Sequence, residues 1–260
     1  MDLGLQGRVV VVSGAARGIG AAVVRCFAAE GARVALLDRD VAAGESLSKK
    51  IPDSLFVPVD LTREKACHDA IRTVQGEMGC IEVLVNNAGV NDSVPLDGSP
   101  HDFTASLRRN LQHVFELTHW SREDLIRSHG AIINIGSKVA TTGQGGTSGY
   151  AAAKGAINAL TREWAAALAR EGVRVNAVIP AECDSDQYRQ WFAKQPDQEK
   201  ARNQVAALVP LEMRLTRPEE IADAVVWLAS CRSSHVTGQF LFVDGGYTHL
   251  DRALTSSHQW

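Results

Sequence analysis

The chain has 260 residues, of which 45% are hydrophobic and 22% charged, and its formal net charge is -3. This composition is ordinary for a soluble globular protein. The weak negative charge argues against nucleic acid or an anionic membrane as a partner. No apolar run approaches the roughly 18 residues that a membrane span needs.

The five cysteines are scattered and form no Cys-x-x-Cys pair, and the first seven residues lack the basic and apolar regions of a signal peptide. Both features predict reduced thiols and a cytoplasmic protein. The eight histidines show no metal-ligand spacing, so we expect no metal site.

The first predicted strand, 8–13, leads directly into a glycine-rich loop. Its run of valines is typical of a parallel strand covered on both faces. The loop reads Gly-Ala-Ala-Arg-Gly-Ile-Gly over 14–20 and precedes a helical pattern over 21–30. Glycines at this place let the backbone approach a pyrophosphate, which rests on the helix N-terminus. The loop therefore indicates a dinucleotide site, although its spacing is not the commoner Gly-x-Gly-x-x-Gly.

Acidic residues end the next two predicted strands. Strand 33–37 ends at Asp38, where the adenosine ribose of a dinucleotide should lie; the alternative is a helix cap. Strand 55–59 ends at Asp60, which either accepts from the adenine amino group or caps the next helix.

The alternation of strands and helices continues along the chain. The remaining predicted elements are helix 41–51, helix 63–78, strand 81–85, helix 99–128, strand 131–135, a helix from residue 150, strand 173–179, helix 218–229 and strand 240–243. Without a linker or repeat, this pattern predicts one α/β domain over 1–260 with a doubly wound parallel sheet of the Rossmann type. We expect a substrate lid at about 181–215 and a C-terminal tail at 245–260.

A tyrosine and a lysine follow the strand at 131–135. Tyr150 and Lys154 are spaced i and i+4, so they share one helix face. The ordinary pKa of a phenol is about 10, and we expect the nearby ammonium to lower it. Ser137, at the end of the strand, is placed to donate to a substrate oxygen. The alternative is a buried tyrosine beside a solvated lysine. Asn110 within a predicted helix is either solvated or marks a functional kink.

Together these motifs resemble the short-chain dehydrogenase/reductase family. The resemblance rests on residues 13–20, Asn-Asn-Ala-Gly at 86–89, and the four residues named above, in the family's order and across nearly the whole chain. It implies that Tyr150 is the general acid/base and that Ser137 polarises the substrate oxygen. It also implies that Lys154 binds the nicotinamide ribose and that Asn110 holds a water through which protons leave.

The same resemblance implies the cofactor contacts of a nicotinamide dinucleotide. They are Gly14, Arg17, Gly18, Ile19, Gly20, Asp38, Asp60, Leu61, Asn87, Ala88, Gly89, Tyr150, Lys154, Pro180, Cys183 and Ser185. The chain departs from the family pattern at Ser13 (usually Thr), Gly136 (often Ser), Ala181 (usually Gly) and Ser185 (often Thr). None of these changes removes a catalytic group.

A narrower resemblance is to bacterial L-fucose dehydrogenases, carried by segments at 89–92, 147–150, 160–164, 178–182 and 242–254. It implies a sugar oxidised at its anomeric carbon. We expect Asn91, Ser137, Gln144, Tyr150 and Glu182 to contact this substrate; the alternative for Glu182 is a surface acid in a flexible lid. Competing interpretations are a hydroxysteroid dehydrogenase, a 3-oxoacyl reductase, or a non-catalytic dinucleotide-binding protein.

Two further expectations concern the cofactor and the assembly. A carboxylate at residue 38 should repel the 2′-phosphate of NADP and so favour NAD, whereas Arg17 and Arg39 act in the opposite direction. Two predicted helices carry apolar residues around much of their circumference, which indicates association. The family resemblance implies a homotetramer.

Overall fold

A computed structural model describes residues 2–251 of the chain. They form one sheet of seven strands in the order β3-β2-β1-β4-β5-β6-β7, with all neighbouring strands parallel. The strands are β1 (Val9–Ser13), β2 (Arg33–Asp38), β3 (Leu55–Pro58), β4 (Val83–Asn86), β5 (Ala131–Ile135), β6 (Arg174–Pro180) and β7 (Phe240–Val243). The predicted fold class, a single doubly wound Rossmann-type domain, is confirmed.

Helices cover both faces of this sheet. The α-helices are α1 (Gly18–Ala29), α2 (Val41–Ser48), α3 (Ala66–Met78), α4 (Pro100–Leu107), α5 (His113–Arg127), α6 (Val139–Thr142), α7 (Ser148–Leu168), α8 (Asp186–Phe192), α9 (Gln198–Ala206) and α10 (Pro218–Ala229). Because side chains alternate along a strand, Val10 packs with Phe27 of α1 in one buried cluster, and Val11 packs with Ile71 of α3 in the other. This two-sided burial explains why the strands are continuous apolar runs.

The structure differs from the predicted elements in two places. The predicted helix 99–128 is interrupted by a π-helical turn at Arg108–Gln112, which contains Asn110. The stretch of the expected lid, 181–215, for which no helix was predicted, contains α8 and α9. Residues 252–260 of the predicted tail lie outside the described residues.

The strand order places the glycine-rich loop opposite the end of β4. The chain leaves β1 towards β2 on one side and enters β4 on the other, so the order reverses between β1 and β4. Ligands of open α/β sheets bind at such a point, at the carboxyl ends of the strands. Within residues 2–251, every helix is too short or too polar to cross a lipid bilayer.

Candidate active site

Ser13 joins the glycine-rich loop to the end of β4. Its hydroxyl accepts hydrogen bonds from the backbone N–H groups of Asn87 (3.0 Å) and Ala88 (3.1 Å) and donates to the carbonyl of Val85 (3.3 Å). The hydroxyl is what this position requires, so serine can stand where the family usually has threonine.

The loop leaves no room for side chains at two of its glycines. The Asn87 amide donates to the carbonyls of Ser13 and Gly14, both at 2.9 Å. A Cβ at Gly20 would overlap the Gly14 oxygen and lie 2.7 Å from the Asn87 Nδ2, and a Cβ at Gly14 would lie 2.8 Å from the Cα of Ala88. We call Ser13, Gly14, Gly20 and Asn87 the cofactor-side network. Its closely packed, glycine-lined backbone fits the pyrophosphate of a dinucleotide.

Asp38 lies at the end of β2, beside this network. One oxygen of its carboxylate accepts from the N–H of Ala16 (2.8 Å), and the other accepts from the N–H of Asp40 (2.9 Å). The carboxylate is therefore held in place where the ribose of a dinucleotide is expected. Arg17 pairs with Asp40 at 2.7 Å.

Asp60, at the predicted adenine position, closes a turn. It accepts from both the N–H and the hydroxyl of Thr62, at 3.0 and 2.7 Å, and these bonds lower the pKa of its carboxyl. Leu61 lies between them and is partly buried. Gly89 follows β4 and lies close to Asn110 and Lys154: a Cβ there would lie 3.2 Å from the side-chain oxygen of Asn110 and 3.5 Å from the Lys154 Nζ.

Ser137, Tyr150 and Lys154 meet at the carboxyl end of β5. Ser137 follows that strand by two residues, and Tyr150 lies in the first turn of α7. Lys154 is buried one turn further on; its ammonium donates to the carbonyl of Ile135 at 2.7 Å and lies 5.6 Å from the centre of the Tyr150 ring.

The titration of this group differs from the sequence expectation. Burial raises the pKa of Tyr150 to about 12, although a hydrogen bond with Ser137 acts in the opposite direction. Burial lowers the pKa of Lys154 to about 8. The predicted net lowering of the Tyr150 pKa is therefore wrong, because desolvation of the buried phenolate is the dominant effect.

Asn110 is fully buried in the π-helical turn. Its side-chain oxygen accepts from the N–H of Val90 (2.7 Å), and its nitrogen donates to the carbonyl of Ser106 (3.1 Å). The structure thus has a helix irregularity where the sequence suggested a kink, and such π-turns are frequent at functional sites.

Glu182 is 4% exposed, so the alternative of a surface acid in a flexible lid is wrong. Its carboxylate forms an ion pair with Lys138 and accepts a hydrogen bond from the Tyr188 hydroxyl of α8. The Lys138 Nζ also lies 3.8 Å from the ring centre of Tyr247, which follows β7. We call Lys138, Glu182, Tyr188 and Tyr247 the substrate-side cluster. Three of its members, Lys138, Tyr188 and Tyr247, were not predicted from the sequence. The available signal for Lys138 was that it directly follows Ser137.

The other predicted substrate residues, Asn91 and Gln144, do not contact Glu182. Gln144 is exposed, and the Asn91 oxygen accepts from the N–H of Ser93 at 3.2 Å. No contact links either of them to Glu182 among the bonds of the described residues.

The segment after β6 is held by backbone pairing. Pro180 ends the strand, and the buried Cys183 forms a parallel bridge with Thr216. Burial raises the pKa of the Cys183 thiol to about 12. Ser185 donates its N–H to the Cys183 carbonyl at 2.7 Å. Nearby, a Cβ on Gly136 would overlap the Cδ1 of Ile179, which explains why serine is absent there.

Within residues 2–251, no group of three or more His, Cys, Asp or Glu side chains is arranged to hold a metal ion. The arrangement instead provides a proton-transfer group, a hydroxyl that can polarise a substrate oxygen, and a glycine-lined surface for a dinucleotide. It is suited to hydride transfer at an alcohol or carbonyl carbon.

Comparison with known proteins agrees with this geometry. The family model described as "Enoyl-(Acyl carrier protein) reductase" matches residues 14–248. The chain is 36% identical to L-fucose dehydrogenase of Mus musculus over 243 residues, which are 93% of this chain and 88% of that enzyme. It is also 36% identical to 3-oxoacyl-[acyl-carrier-protein] reductase FabG of Thermotoga maritima over 251 residues, which are 93% and 98% of the two chains.

Solved structures show the same fold over the whole length. The crystal structure of Cj0485 dehydrogenase matches with a TM-score of 0.94 and 37% identity, covering 100% of both chains. The aldohexose dehydrogenase of Thermoplasma acidophilum matches with a TM-score of 0.88 and 30% identity, covering 96% of this chain and 98% of that one. The chain belongs to the short-chain dehydrogenase/reductase family, oxidoreductases that act on CH–OH groups with NAD(P) as cofactor.

Proposed function

We propose that this enzyme oxidises an aldose, L-fucose or a related sugar, at the anomeric carbon to the lactone. The observation that carries the proposal is the substrate-side cluster. A buried ion pair is costly unless its remaining donors and acceptors are used. The Lys138 ammonium has three donors, and the Glu182 and Tyr188 oxygens have further lone pairs. Donors and acceptors mixed in this way suit a ligand with several hydroxyls better than a steroid or an acyl chain.

The relatives support the same substrate class. An L-fucose dehydrogenase and an aldohexose dehydrogenase are each at least 30% identical to this chain over more than nine-tenths of its length. The residues of the cluster follow the carboxyl ends of β5, β6 and β7. Ser137 and Tyr150 lie at the same end of the sheet. We assign sugar contacts to Glu182 and Asn91, with Gln144 at the exposed rim of the site.

Tyr150 is the general base of the proposed reaction. Its phenolate takes the proton of the anomeric hydroxyl, while the Ser137 hydroxyl donates a hydrogen bond to the same oxygen. Lys154, fixed by the Ile135 carbonyl, holds the ribose of the cofactor and stabilises the phenolate. Asn110 holds a water that leads the proton to solvent. The bound dinucleotide supplies the hydride acceptor.

We propose NAD as the preferred cofactor. Asp38 has a fixed carboxylate at the ribose position, and like charges at about 4 Å repel by roughly 4 kcal/mol at an effective dielectric of 20. Arg17, which could neutralise a phosphate, is already paired with Asp40. Arg39 is exposed and makes no hydrogen bond or ion pair with another described residue, so it is the group that favours NADP. Higher kcat/KM with NADP than with NAD would refute this assignment.

We also propose a homotetramer in the cytoplasm. Phe103 of α4 and Phe115 and Trp120 of α5 are 37%, 54% and 43% exposed. Large apolar side chains gathered on neighbouring helices indicate a surface that a second copy covers. Light scattering at micromolar concentration tests this assembly, and a monomer would refute it.

A second candidate function is reduction of a 3-oxoacyl thioester. A shallow pocket of about 450 Å³ is lined by Arg39, Arg63, Arg108 and Arg109, together with Thr62, Glu64 and Ala105. Four guanidinium groups would suit an acidic carrier protein. Two of them are used internally, however, since Arg108 donates to the Thr62 carbonyl and Arg109 to Asp92, both at 2.7 Å.

One experiment separates the two candidates. The purified enzyme is incubated with a panel of aldoses and NAD, and in parallel with acetoacetyl thioesters and NADH or NADPH, while absorbance at the reduced cofactor's band is followed. We expect turnover with L-fucose or a close stereochemical relative and much weaker reduction of the thioesters. Turnover confined to thioesters would overturn the proposed function.

A further inference from the structure

Asp186 of α8 contacts the glycine-rich loop. Its Oδ2 accepts a hydrogen bond at 3.0 Å from the backbone N–H of Gly18, the first residue of α1, although the two residues lie 168 positions apart. Ser185 and Asp186 cover this glycine: a Cβ on Gly18 would lie 3.6 Å from the Ser185 Cβ and 3.9 Å from the Asp186 nitrogen. The beginning of α8 therefore lies directly on the loop.

The first N–H groups of a helix are the donors that a dinucleotide pyrophosphate uses in this fold, because they point outward and carry the positive end of the helix dipole. In α1 these groups belong to Gly18, Ile19 and Gly20. Among the hydrogen bonds of the described residues, only the Gly18 N–H has an acceptor, the Asp186 carboxylate. This carboxylate has the same sign of charge as a pyrophosphate and occupies one of its donors.

Among the described residues, only Arg189 lies within 4.0 Å of the Asp186 carboxylate, although Arg17 also attracts it from a greater distance. The nearest guanidinium on its own helix is that of Arg189, 4.0 Å away, and Arg189 lies closer to Asp184, at 3.3 Å. Arg17, next to Gly18, pairs with Asp40. The bond to Gly18 is thus the shortest polar contact of the Asp186 side chain.

We propose that Asp186 is an internal competitor of the cofactor pyrophosphate. Without cofactor, its carboxylate takes the Gly18 N–H and holds the start of α8 against the loop. The dinucleotide binds by displacing it, so the affinity for cofactor is lower than the loop alone would give. Asp186 is in this sense a determinant of cofactor affinity that acts through the lid, independently of the sugar.

The test is cofactor binding to the purified full-length protein in the absence of substrate. NADH affinity is measured by fluorescence and calorimetry for the wild type, Asp186→Asn and Asp186→Ala. The matched control is Asp184→Asn, which removes a carboxylate from the same segment but one that is bound by Arg202 at 3.0 Å and makes no contact with the loop. Adenosine serves as a ligand without phosphate. Thermal unfolding verifies that each variant is folded, which is expected because the Asp186 side chain is partly exposed.

Both Asp186 variants should bind NADH more tightly than the wild type, by about tenfold, since a like charge is removed from the pyrophosphate site. Asp184→Asn should change the affinity little, and adenosine should bind all proteins alike. Unchanged or weaker NADH binding in the Asp186 variants would overturn the proposal. Equal tightening in Asp184→Asn would also overturn it, because the effect would then be one of net charge alone. Neither result depends on which substrate the enzyme uses.

Discussion

The cofactor-side network and the substrate-side cluster lie at the same edge of the sheet but are held together in different ways. In the cofactor-side network, the Ser13 hydroxyl and the Asn87 amide form hydrogen bonds to backbone groups of the facing segment. A Cβ at Gly14 or Gly20 would collide with neighbouring atoms. In the second, long charged and aromatic side chains from three segments meet around one buried carboxylate, that of Glu182.

This difference indicates how each region can change. The cofactor-side network depends on volume, so almost any enlargement disturbs it, whatever its charge. The substrate-side cluster depends on the balance of charge between its side chains, and we expect it to tolerate substitutions that keep this balance. Such a difference would let a family change its substrate while its cofactor site stays the same. It can be tested with variants that change either the volume or the charge of a side chain.

The largest effect on activity should come from a substitution at Tyr150, which belongs to neither the cofactor-side network nor the substrate-side cluster. Tyr150→Phe keeps the ring and removes only the proton-transfer group, so kcat should fall by about 10²–10⁴-fold while NADH affinity is unchanged. Lys154→Ala should lower both, because we propose that Lys154 also holds the cofactor ribose. Steady-state kinetics and NADH titration measure the two quantities. Substantial turnover by Tyr150→Phe at neutral pH would place the base elsewhere.

Breaking the charge balance of the substrate-side cluster should have the next largest effect. Glu182→Ala leaves the Lys138 ammonium buried and unpaired, which should cost about 3–5 kcal/mol in the free energy of unfolding. It should also raise the KM for the sugar, with NADH affinity unchanged.

A double variant separates stability from sugar recognition. Lys138→Met with Glu182→Met replaces the pair by apolar side chains of similar volume, which is often neutral for stability. We expect unfolding in urea to return towards the wild-type midpoint while the sugar KM stays high. A double variant with the wild-type sugar KM would show that the cluster has only a structural role.

A smaller effect should follow from added volume in the cofactor-side network. Gly20→Ala should destabilise the protein by about 1–3 kcal/mol and weaken NADH binding, because the new methyl group would overlap the Gly14 oxygen. The control is Gly76→Ala on the exposed side of α3, where no atom lies within 4 Å of the added Cβ; it should stabilise by about 0.4–1 kcal/mol. Equal effects of the two changes would contradict the packing argument.

The smallest expected effect, about 1.4 kcal/mol per pH unit, concerns the titration of Tyr150. Because burial raises the pKa of Tyr150 to about 12, the phenol is protonated at neutral pH, and the phenolate that oxidation requires becomes about tenfold more abundant with each pH unit. Oxidation should therefore accelerate from pH 7 to 8 and level off above pH 8, because burial lowers the pKa of Lys154 to about 8 and its ammonium, which stabilises the phenolate, then loses its proton. The reverse reduction, which needs the phenol, should not accelerate. A kcat/KM for oxidation that falls from pH 7 to 8 would contradict the assignment.

Local sequence patterns predicted the fold well. Residues 9–12 are apolar without a break because both faces of β1 are buried, and the glycine at 20 is required by its contact with the Gly14 oxygen within the loop. The predicted start of α4 also holds, since the Ser99 hydroxyl accepts from the N–H of Asp102 at 3.1 Å. For Gly20 and for Ser99 the cause lies close to the residue in sequence.

The substrate side was harder to predict because its causes are distant. Lys138 is buried only because Glu182, 44 residues later, balances its charge, and Tyr188 and Tyr247 come from elements whose positions depend on the complete sheet. The pKa of Tyr150 was misjudged for the same reason: spacing along the helix reveals the neighbouring ammonium but not the desolvation that outweighs it.

The most direct test of the central claim is to follow the hydrogen that the enzyme transfers. L-Fucose deuterated at its anomeric carbon is incubated with the enzyme and NAD, and the products are analysed by mass spectrometry and NMR. The proposed function predicts that deuterium appears in the reduced dinucleotide in equal amount to the lactone formed. Reduced dinucleotide without deuterium, or no turnover of any aldose while a 3-oxoacyl thioester is reduced, would contradict it.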